Sequence, residues 1–285
     1  MHSSDIDGRI AGLYLHPVKS CAPVAVDEAR VAETGLEFDR EWMVVDADAC
    51  MLTQRTEPRL ALVRPRFFGD ELVLRAPGML ALHLRLDAVE SPTRVRVWND
   101  EVRAYDMGAL AAQWFTDLLG RPLRLARFDP EEQRLSDRRW TGELAARNAF
   151  SDAFPLLVAS TASLAALNER LAARGAPAVE IERFRPNLVL AGLEAFDEDH
   201  LADVEVAGAD GPVTIRLVKP CVRCSIPNVD PASAEVGSEP GATLATFRAD
   251  PRMDGGLTFA MNAVIVDGVG RRLGVGDAVA ARFAL

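Results

Sequence analysis

Two cysteines stand close together after a segment with β-type alternation. Cys221 and Cys224 lie in the run 219–224, Lys-Pro-Cys-Val-Arg-Cys, and apolar residues alternate along 213–217 just before it. We therefore expect both thiols at a strand end, where the chain changes direction. A thiolate is a ligand for soft metals, and a neighbouring guanidinium such as that of Arg223 favours the thiolate form. The pattern predicts a metal-binding thiolate at Cys224.

Three other interpretations of this pair stay open. A structural zinc site needs a second close pair of Cys or His, and the remaining cysteines, Cys21 and Cys50, are far apart in the sequence. A thioredoxin-like exchange motif opens a helix, whereas 226–228, Ile-Pro-Asn, is typical of a loop. Two inert, buried cysteines are the third possibility.

Basic residues form a second candidate set, because an acidic chain that gathers a few cations at one point is expected to bind an anion there. Lys19 and Ser20 end the first predicted strand, and Arg40 precedes another. Arg185 and Asn187 flank a proline ahead of an apolar strand, which places a guanidinium and an amide at one strand entrance. Each alone is equally explained as a solvated or ion-paired side chain. Together they predict a site for a phosphate or the edge of a pterin.

Hydroxyl and carboxylate residues complete the candidates. Ser160 and Thr161 stand at a predicted helix start, where free backbone N–H groups attract anions, although simple capping explains them equally well. Asp152 forms a polar pair with Ser151 inside the apolar run 150–155. It is either a turn residue or a carboxylate that moves protons beside a metal.

The elements that must position these residues are mostly short strands. In the first half, β-branched and aromatic residues predict strands at 10–17, 42–45, 60–63, 72–74 and 95–98. Turn residues at 69–70 and 99–100 predict hairpins between them. A helix over 110–119 follows, with Gly120 as its left-handed stop. Many short strands at close spacing indicate a barrel-like domain.

The second half is also rich in strands. The charged segment 128–148 shows no strand period and is interpreted as a mobile connection. A helix over 162–174 begins at Ser160 or Thr161 and ends at Gly175. Strands are predicted at 188–190, 213–218 and 262–266. The predicted fold class is α+β and β-rich, with an N-terminal β-barrel-like domain at 1–127 and a second barrel domain with a few helices at 128–285.

Composition limits the classes of function. The chain has 285 residues, 49% hydrophobic and 26% charged, which is typical of folded domains, and its net charge of −10 disfavours nucleic-acid binding. The polar opening 1–7 lacks the features of a signal peptide, and no apolar run approaches the roughly 20 residues of a membrane span. We expect a cytoplasmic protein that binds no membrane, with its four cysteines reduced.

Several motifs in one order make the sequence resemble a known family. They are Tyr14-Leu15-His16-Pro17-Val18-Lys19-Ser20, Asp39-Arg40, Thr53-Gln54-Arg55, Phe150-Ser151-Asp152, Phe184-Arg185-Pro186-Asn187, Cys221-Val222-Arg223-Cys224 and Met261-Asn262. The chain resembles the MOSC-domain proteins that carry an N-terminal MOSC β-barrel domain, a family that includes the amidoxime-reducing components. The resemblance implies an N-terminal MOSC-type domain at 1–127 and the MOSC domain at 128–285.

The resemblance also implies a molybdenum cofactor, molybdopterin, between the two domains, with Cys224 as the metal ligand and Cys221 beside it. Its implied pterin- and phosphate-binding residues are Lys19, Ser20, Arg40, Arg185, Asn187 and Arg223. Asn262 would approach the metal, and Asp152 would act beside it. The hydroxyls that some relatives place after the Ser-Asp pair are Ala153 and Phe154 here. Ser160 or Thr161 is the predicted substitute.

The implied function is reduction of N-hydroxylated substrates by oxygen-atom transfer at a Cys-ligated molybdenum. Electrons would come from a separate flavin-, haem- or iron–sulfur-containing protein, because this sequence has no further cysteine cluster. Arg138 and Arg139 are the predicted docking residues for that donor. The alternative is a cofactor- or sulfur-carrying module in which a cysteine relays sulfur without turnover of small substrates.

Overall fold

Strands dominate the chain, and their alternation of buried and exposed side chains sets which face packs inward. The structure is a computed structural model that describes residues 4–284. The elements of the first half are β1 (Ile6–Leu15), β2 (Val24–Val26), β3 (Glu28–Ala32), β4 (Gly35–Leu36), β5 (Trp42–Val45), β6 (Arg64–Phe68), β7 (Glu71–Arg75), β8 (Leu82–Arg85), β9 (Ser91–Val97), β10 (Asp100–Asp106), α1 (Gly108–Leu119) and β11 (Arg124–Phe128).

The second half alternates short helices with longer strands. Its elements are β12 (Arg134–Leu135), α2 (Arg138–Thr141), β13 (Arg147–Asn148), β14 (Leu156–Ser160), α3 (Thr161–Ala173), β15 (Leu188–Ala191), β16 (Leu201–Gly208), β17 (Gly211–Val222), α4 (Gly241–Leu244), β18 (Ala249–Asp250), β19 (Gly256–Asp267), β20 (Arg272–Gly274) and β21 (Ala278–Phe283). Within residues 4–284, no helix is both long and apolar enough to cross a bilayer.

A closed seven-strand barrel forms the larger part of the molecule. Its strand order is β14-β15-β1-β21-β16-β17-β19, and β19 pairs back with β14 to close the ring. β14 and β15 run parallel, and helix α3 makes the crossover between them. Ile10, Leu190, Val204 and Ile215 fill the interior, each with at most 1% of its surface exposed. The prediction of a β-rich fold with a barrel and a few helices is confirmed.

The first strand of the chain lies in this barrel, between β15 and β21. After it the chain builds a second unit from the sheet β5-β11-β10-β9, the sheet β6-β7-β8 and helix α1. It then returns to the barrel at β14. The second unit has its own core around Trp42, Leu72 and Phe115, all fully buried. The domain boundary at 127 stays a prediction.

Most predicted elements match their observed positions. Helix α1 ends at Leu119, and its C-cap Gly120, with a φ of 77°, is the left-handed stop that the sequence indicated. Ser160 is the N-cap of α3, and the hairpin at 69–70 joins β6 to β7. The strand predicted at 60–63 is wrong, because Pro58–Leu62 forms a 3-10 helix that begins with a proline. A short buried apolar run shows no periodicity of hydrophobic residues that would distinguish a strand from a 3-10 helix.

The interpretation of 128–148 as a mobile connection is also wrong. β12 and β13 pair within it, and Trp140 packs against the barrel in a cluster with Phe154. The guanidinium of Arg134, only 8% exposed, donates hydrogen bonds to the carbonyl oxygens of Ser151 and Asp152. A charged segment takes a defined structure here because the Arg134 guanidinium donates to backbone carbonyl oxygens instead of pointing only to solvent.

Candidate active site

One pocket collects nearly all the predicted site residues. It lies where the strand ends of the barrel meet the loops of the second unit. The predicted residues that line it are Lys19, Ser20, Arg40, Asp152, Arg185, Asn187, Cys221, Arg223, Cys224 and Asn262. Thr53 and Arg55, from the loop before the 3-10 helix, line it as well. Residues far apart in the chain are therefore brought to one point, although their chemical roles stay predictions.

The structure does not bring Ser160 and Thr161 to this pocket. The Ser160 hydroxyl accepts a hydrogen bond from the Ser163 backbone N–H at 3.0 Å and donates one to the Glu198 carboxylate at 3.0 Å. Leu156 and Leu157 line the pocket, whereas Ser160 lies at the opposite end of β14. Capping accounts for the Ser160 hydroxyl, and Thr161 is exposed and does not line the pocket.

The two cysteines have different guanidinium partners. Cys221 lies in β17, and its Sγ is 2.9 Å from Nη1 of Arg223. Cys224 follows the strand and is exposed, and its Sγ is 3.1 Å from Nη1 of Arg55. The expectation that Arg223 serves Cys224 is thus wrong, because sequence neighbours in extended chain point to opposite sides. The cation at Cys224 is Arg55, which the motif Thr53-Gln54-Arg55 marked only as a point of resemblance.

A buried ammonium and a carboxylate stand at the side of the pocket. The Lys19 side chain is 7% exposed, and its Nζ donates to the carbonyl of Phe150 at 2.7 Å and to the Asp152 carboxylate. Burial lowers the pKa of Lys19, and Asp152 opposes that shift. Burial would raise the pKa of Asp152, but Lys19 and Arg55 hold it well below its usual range. Asp152 is therefore ionised at neutral pH and accepts hydrogen bonds there.

Two arginines and an asparagine form the pocket floor. Nη1 of Arg40 donates to Oδ1 of Asn187 at 2.9 Å and to Asp39, and Nη2 donates to the Arg185 carbonyl at 3.0 Å. Nη1 of Arg185 donates to the Cys21 carbonyl at 2.6 Å. Burial, with Arg40 nearby, lowers the pKa of Arg185 to about 10. A guanidinium has a lowered pKa when nearby negative charges do not compensate its positive charge. This is expected in a site that binds an anion.

Three pocket residues hold left-handed backbone conformations that usually favour glycine. The φ angles are 67° at Ser20, 52° at Arg40 and 60° at Arg185. Such conformations cost roughly 1–3 kcal/mol each and persist where the surrounding structure imposes them. All three residues line one pocket. This clustering indicates that the surrounding structure fixes the directions of their side chains, although the backbone conformations are unfavourable.

Unsatisfied polar atoms test whether the pocket fits an anionic cofactor. Nη2 of Arg55 and Nε of Arg223 are buried and have no hydrogen-bond partner among residues 4–284. The nearest carboxylate oxygen to Arg55 Nη2, on Asp152, is 3.9 Å away. Buried donors of this kind need a partner. The exposed thiol of Cys224, the free donors and the excess of cations fit a group that carries a soft metal and a phosphate.

Asn262 enters the pocket from β19. Its Nδ2 donates to the carbonyl of Lys219 at 3.3 Å, and Ala260, two residues before it, has a φ of 68°. The side-chain oxygen of Asn262 is thereby left for a ligand in the pocket.

Fold and site together place the chain in a protein class. Residues 7–122 match the MOSC N-terminal beta barrel domain, and residues 145–280 match the MOSC domain. The chain belongs to the MOSC-domain family, in the group that carries both domains.

Characterised relatives carry a more specific name. The mitochondrial amidoxime reducing component 2 of Bos taurus is 35% identical over 251 residues, which cover 85% of this chain and 72% of that one. The mitochondrial amidoxime-reducing component 1 of Homo sapiens is 34% identical over 251 residues with the same coverage. Among solved structures, the YUAD protein of Bacillus subtilis aligns over 98% of both chains, with 11% identity and a TM-score of 0.42.

Proposed function

We propose that the protein is a molybdenum-cofactor oxidoreductase that reduces N-hydroxylated substrates. The carrying observation is the exposed Cys224 thiol beside the Arg55 guanidinium, in a pocket that also collects Lys19, Arg40, Arg185 and the unpartnered Nε of Arg223. The MOSC match and the amidoxime-reducing relatives support the same assignment.

The residues present divide the binding of the cofactor between them. Cys224 would give the metal its thiolate, because it is the more exposed of the two pocket thiols. Lys19, Arg185 and Arg223 would hold the phosphate and pterin edge through charge-assisted hydrogen bonds. When bound, the molybdenum cofactor supplies two-electron oxygen-atom-transfer chemistry.

The reduction of an N-hydroxylated substrate requires electrons and protons, and this requirement limits the role that Asp152 can have. Conversion of an N-hydroxylated group to the amine-type product and water consumes two electrons and two protons. Asp152, ionised at neutral pH and about half exposed, can orient the protonated nitrogen of a substrate through a hydrogen bond. Because it carries no proton at that pH, Asp152 is not the proton donor of this reaction.

A pair of cysteine variants tests the assignment after expression in a host that makes the cofactor. We expect the wild type to retain about one molybdenum per chain and to oxidise a reduced viologen when an amidoxime is added. Cys224→Ala should lose this activity, and the matched control Cys221→Ala should keep a substantial part of it. Wild-type protein without bound molybdenum, or equal loss in both variants, would contradict the proposal.

A second candidate function is cofactor or sulfur transport. The observation in its favour is that Cys221 and Cys224 each face a guanidinium, which suits two reactive thiolates as well as one metal ligand. A carrier would accumulate a cysteine persulfide, visible by mass spectrometry as the mass of one added sulfur, and would not oxidise the dye.

A further inference from the structure

The hairpin between β9 and β10 reaches the candidate active site. Trp98 and Asn99 form its turn, since Asp100 pairs with Val97. The Arg55 guanidinium lies over the Trp98 ring, 4.5 Å from its centroid. Nη1 of the same guanidinium is 3.1 Å from Sγ of Cys224. A single side chain therefore separates the indole from the predicted metal ligand.

A second contact fixes the tip of this hairpin to the pocket wall. Oδ2 of Asp100 accepts a hydrogen bond from Nε of Arg134 at 2.7 Å. The same guanidinium donates to the carbonyls of Ser151 at 2.6 Å and Asp152 at 2.9 Å, and both residues line the pocket. The tip is thus held next to the pocket by two arginines, and Trp98, which does not itself line the pocket, lies directly against the lining residue Arg55.

The residue type at the tip is unusual for its backbone. Trp98 has a φ of 57°, in the region that hairpin turns normally fill with glycine or asparagine. Burial does not explain a large aromatic residue there, because 50% of its surface is exposed. Residues in sparsely populated backbone regions are concentrated at active sites and ligand clamps. Val222, which lines the pocket beside the cysteines, is likewise 44% exposed.

Taking the proposed function as its basis, we infer that Trp98 and Val222 form the substrate-binding rim of the pocket. The rim selects N-hydroxylated compounds whose reacting group is attached to a flat, conjugated body. The guanidinium of Arg55 covers one part of the indole, and the part open to solvent offers an apolar plane for stacking. A substrate with a small aliphatic body makes no such contact and depends on the reacting group alone.

Two amidoximes that share the reacting group test this selectivity. We expect the ratio of kcat/KM for benzamidoxime to that for acetamidoxime to fall about tenfold in Trp98→Ala, a typical value for loss of one stacking contact. Trp98→Phe should keep most of the ratio, because a smaller ring remains. Phe68→Ala, at the tip of the β6–β7 hairpin and 77% exposed in the wild type, is the matched control and should leave the ratio unchanged.

A binding measurement separates this inference from the proposed function. Benzamidine, a flat product-type ligand, should quench tryptophan fluorescence in the wild type, and Trp98→Phe should lose that quenching. A quench that persists in Trp98→Phe, or an unchanged substrate ratio in Trp98→Ala, would overturn the rim assignment even if turnover occurs. Absence of turnover with both amidoximes in molybdenum-loaded wild type would instead overturn the proposed function.

Discussion

Buried charge is the feature that most strongly defines this protein at the scale of single residues. Lys19 is buried and Arg185 is partly buried, both with lowered pKa values, and the cations that line the pocket outnumber the carboxylates of Asp39 and Asp152. Keeping such charges from water is costly unless they meet a counter-charge. These charges fit the proposed function, in which the pocket is an anion site whose donors are oriented before the ligand arrives.

Removing one of these cations should weaken cofactor retention. A charge-assisted hydrogen bond is worth about 1.5–3 kcal/mol, so Arg185→Ala and Lys19→Ala should each lower cofactor affinity roughly ten- to a hundredfold. Molybdenum and pterin content of purified protein measures the effect, and circular dichroism checks the fold. Arg66→Ala, an exposed strand residue, is the control. Full occupancy in both pocket variants would contradict these roles.

A buried histidine should make stability depend on pH. His16 is fully buried, its Nε2 donates to the Pro186 carbonyl at 3.0 Å, and burial with Arg40 and Arg185 lowers its pKa well below the usual value. The unfolded chain takes up a proton at this residue below a pH of about 6.5 and the folded chain does not. Stability therefore falls as the pH drops below that value, by at most about 1.4 kcal/mol per pH unit.

Substitution of this residue isolates its contribution. His16→Gln keeps an N–H donor for the Pro186 carbonyl but does not titrate. We expect a shallower loss of stability between pH 6 and 4.5, measured by urea denaturation at several pH values. An unchanged slope would show that other groups cause the pH dependence.

The residue scale also shows what the sequence can and cannot predict about the site. Lys19, Arg40 and Cys224 were recognisable because each stands at a strand end within a distinctive motif. The contact between Arg55 and Cys224 spans 169 positions in the chain. No local pattern encodes it, because it arises only when the second unit packs against the barrel.

At the scale of elements, the sequence predicted the ends of helices correctly where a capping residue was present. Gly120 and Ser160 mark helix ends through φ and capping chemistry that the residue type itself determines. The predicted structure was wrong for segments that lack such a residue, namely 60–63 and 128–148. The defined structure of 128–148 depends on contacts that Arg134 and Trp140 make with residues outside the segment. The charged composition of the segment gives no indication of these contacts.

Helix α3 offers a test of the corrected role of its first hydroxyl. Ser160→Ala removes the N-cap acceptor and one partner of Glu198, so it should destabilise the protein by about 1–2 kcal/mol. Molybdenum content should stay at the wild-type level. Thr161→Ala, at an exposed position, is the control and should have little effect on either measurement. Lost cofactor with unchanged stability in Ser160→Ala would restore the cofactor-binding role.

At the scale of the molecule, barrel closure makes the two halves of the chain interdependent. β1 fills the gap between β15 and β21 and contributes Ile10 and Leu13 to the barrel core. Residues 128–284 alone would leave two unpaired strand edges and an open core. We expect this fragment to show no cooperative unfolding transition. Joining residues 4–32 to it through a flexible linker should restore one, and a cooperative transition in the unjoined fragment would contradict the argument.

The proposed reductase activity requires a source of electrons, and the whole sequence bears on whether the chain can take them from NADH directly. The sequence has no Gly-x-Gly-x-x-Gly stretch for a dinucleotide. We therefore expect the purified chain to turn over N-hydroxylated substrates with reduced viologen, or with a flavin- or haem-containing reductase added, and to be inactive with NADH alone. Steady NADH-driven turnover by a preparation free of flavin and other reductases would overturn the requirement for a partner.

The proposed docking surface for that partner carries the last prediction. Arg138 and Arg139 lie on α2, which packs on β17, the strand that carries Cys221, and the Arg139 side chain is 82% exposed. Arg138 and Arg139, the latter paired with the Asp137 carboxylate, add two positive charges to a chain of net charge −10; such charges steer an acidic partner, and salt screens the attraction. Arg139→Glu should slow turnover driven by the protein donor several-fold at low ionic strength and leave viologen-driven turnover unchanged. An equal rate with the protein donor in variant and wild type at low salt would remove α2 from the docking surface.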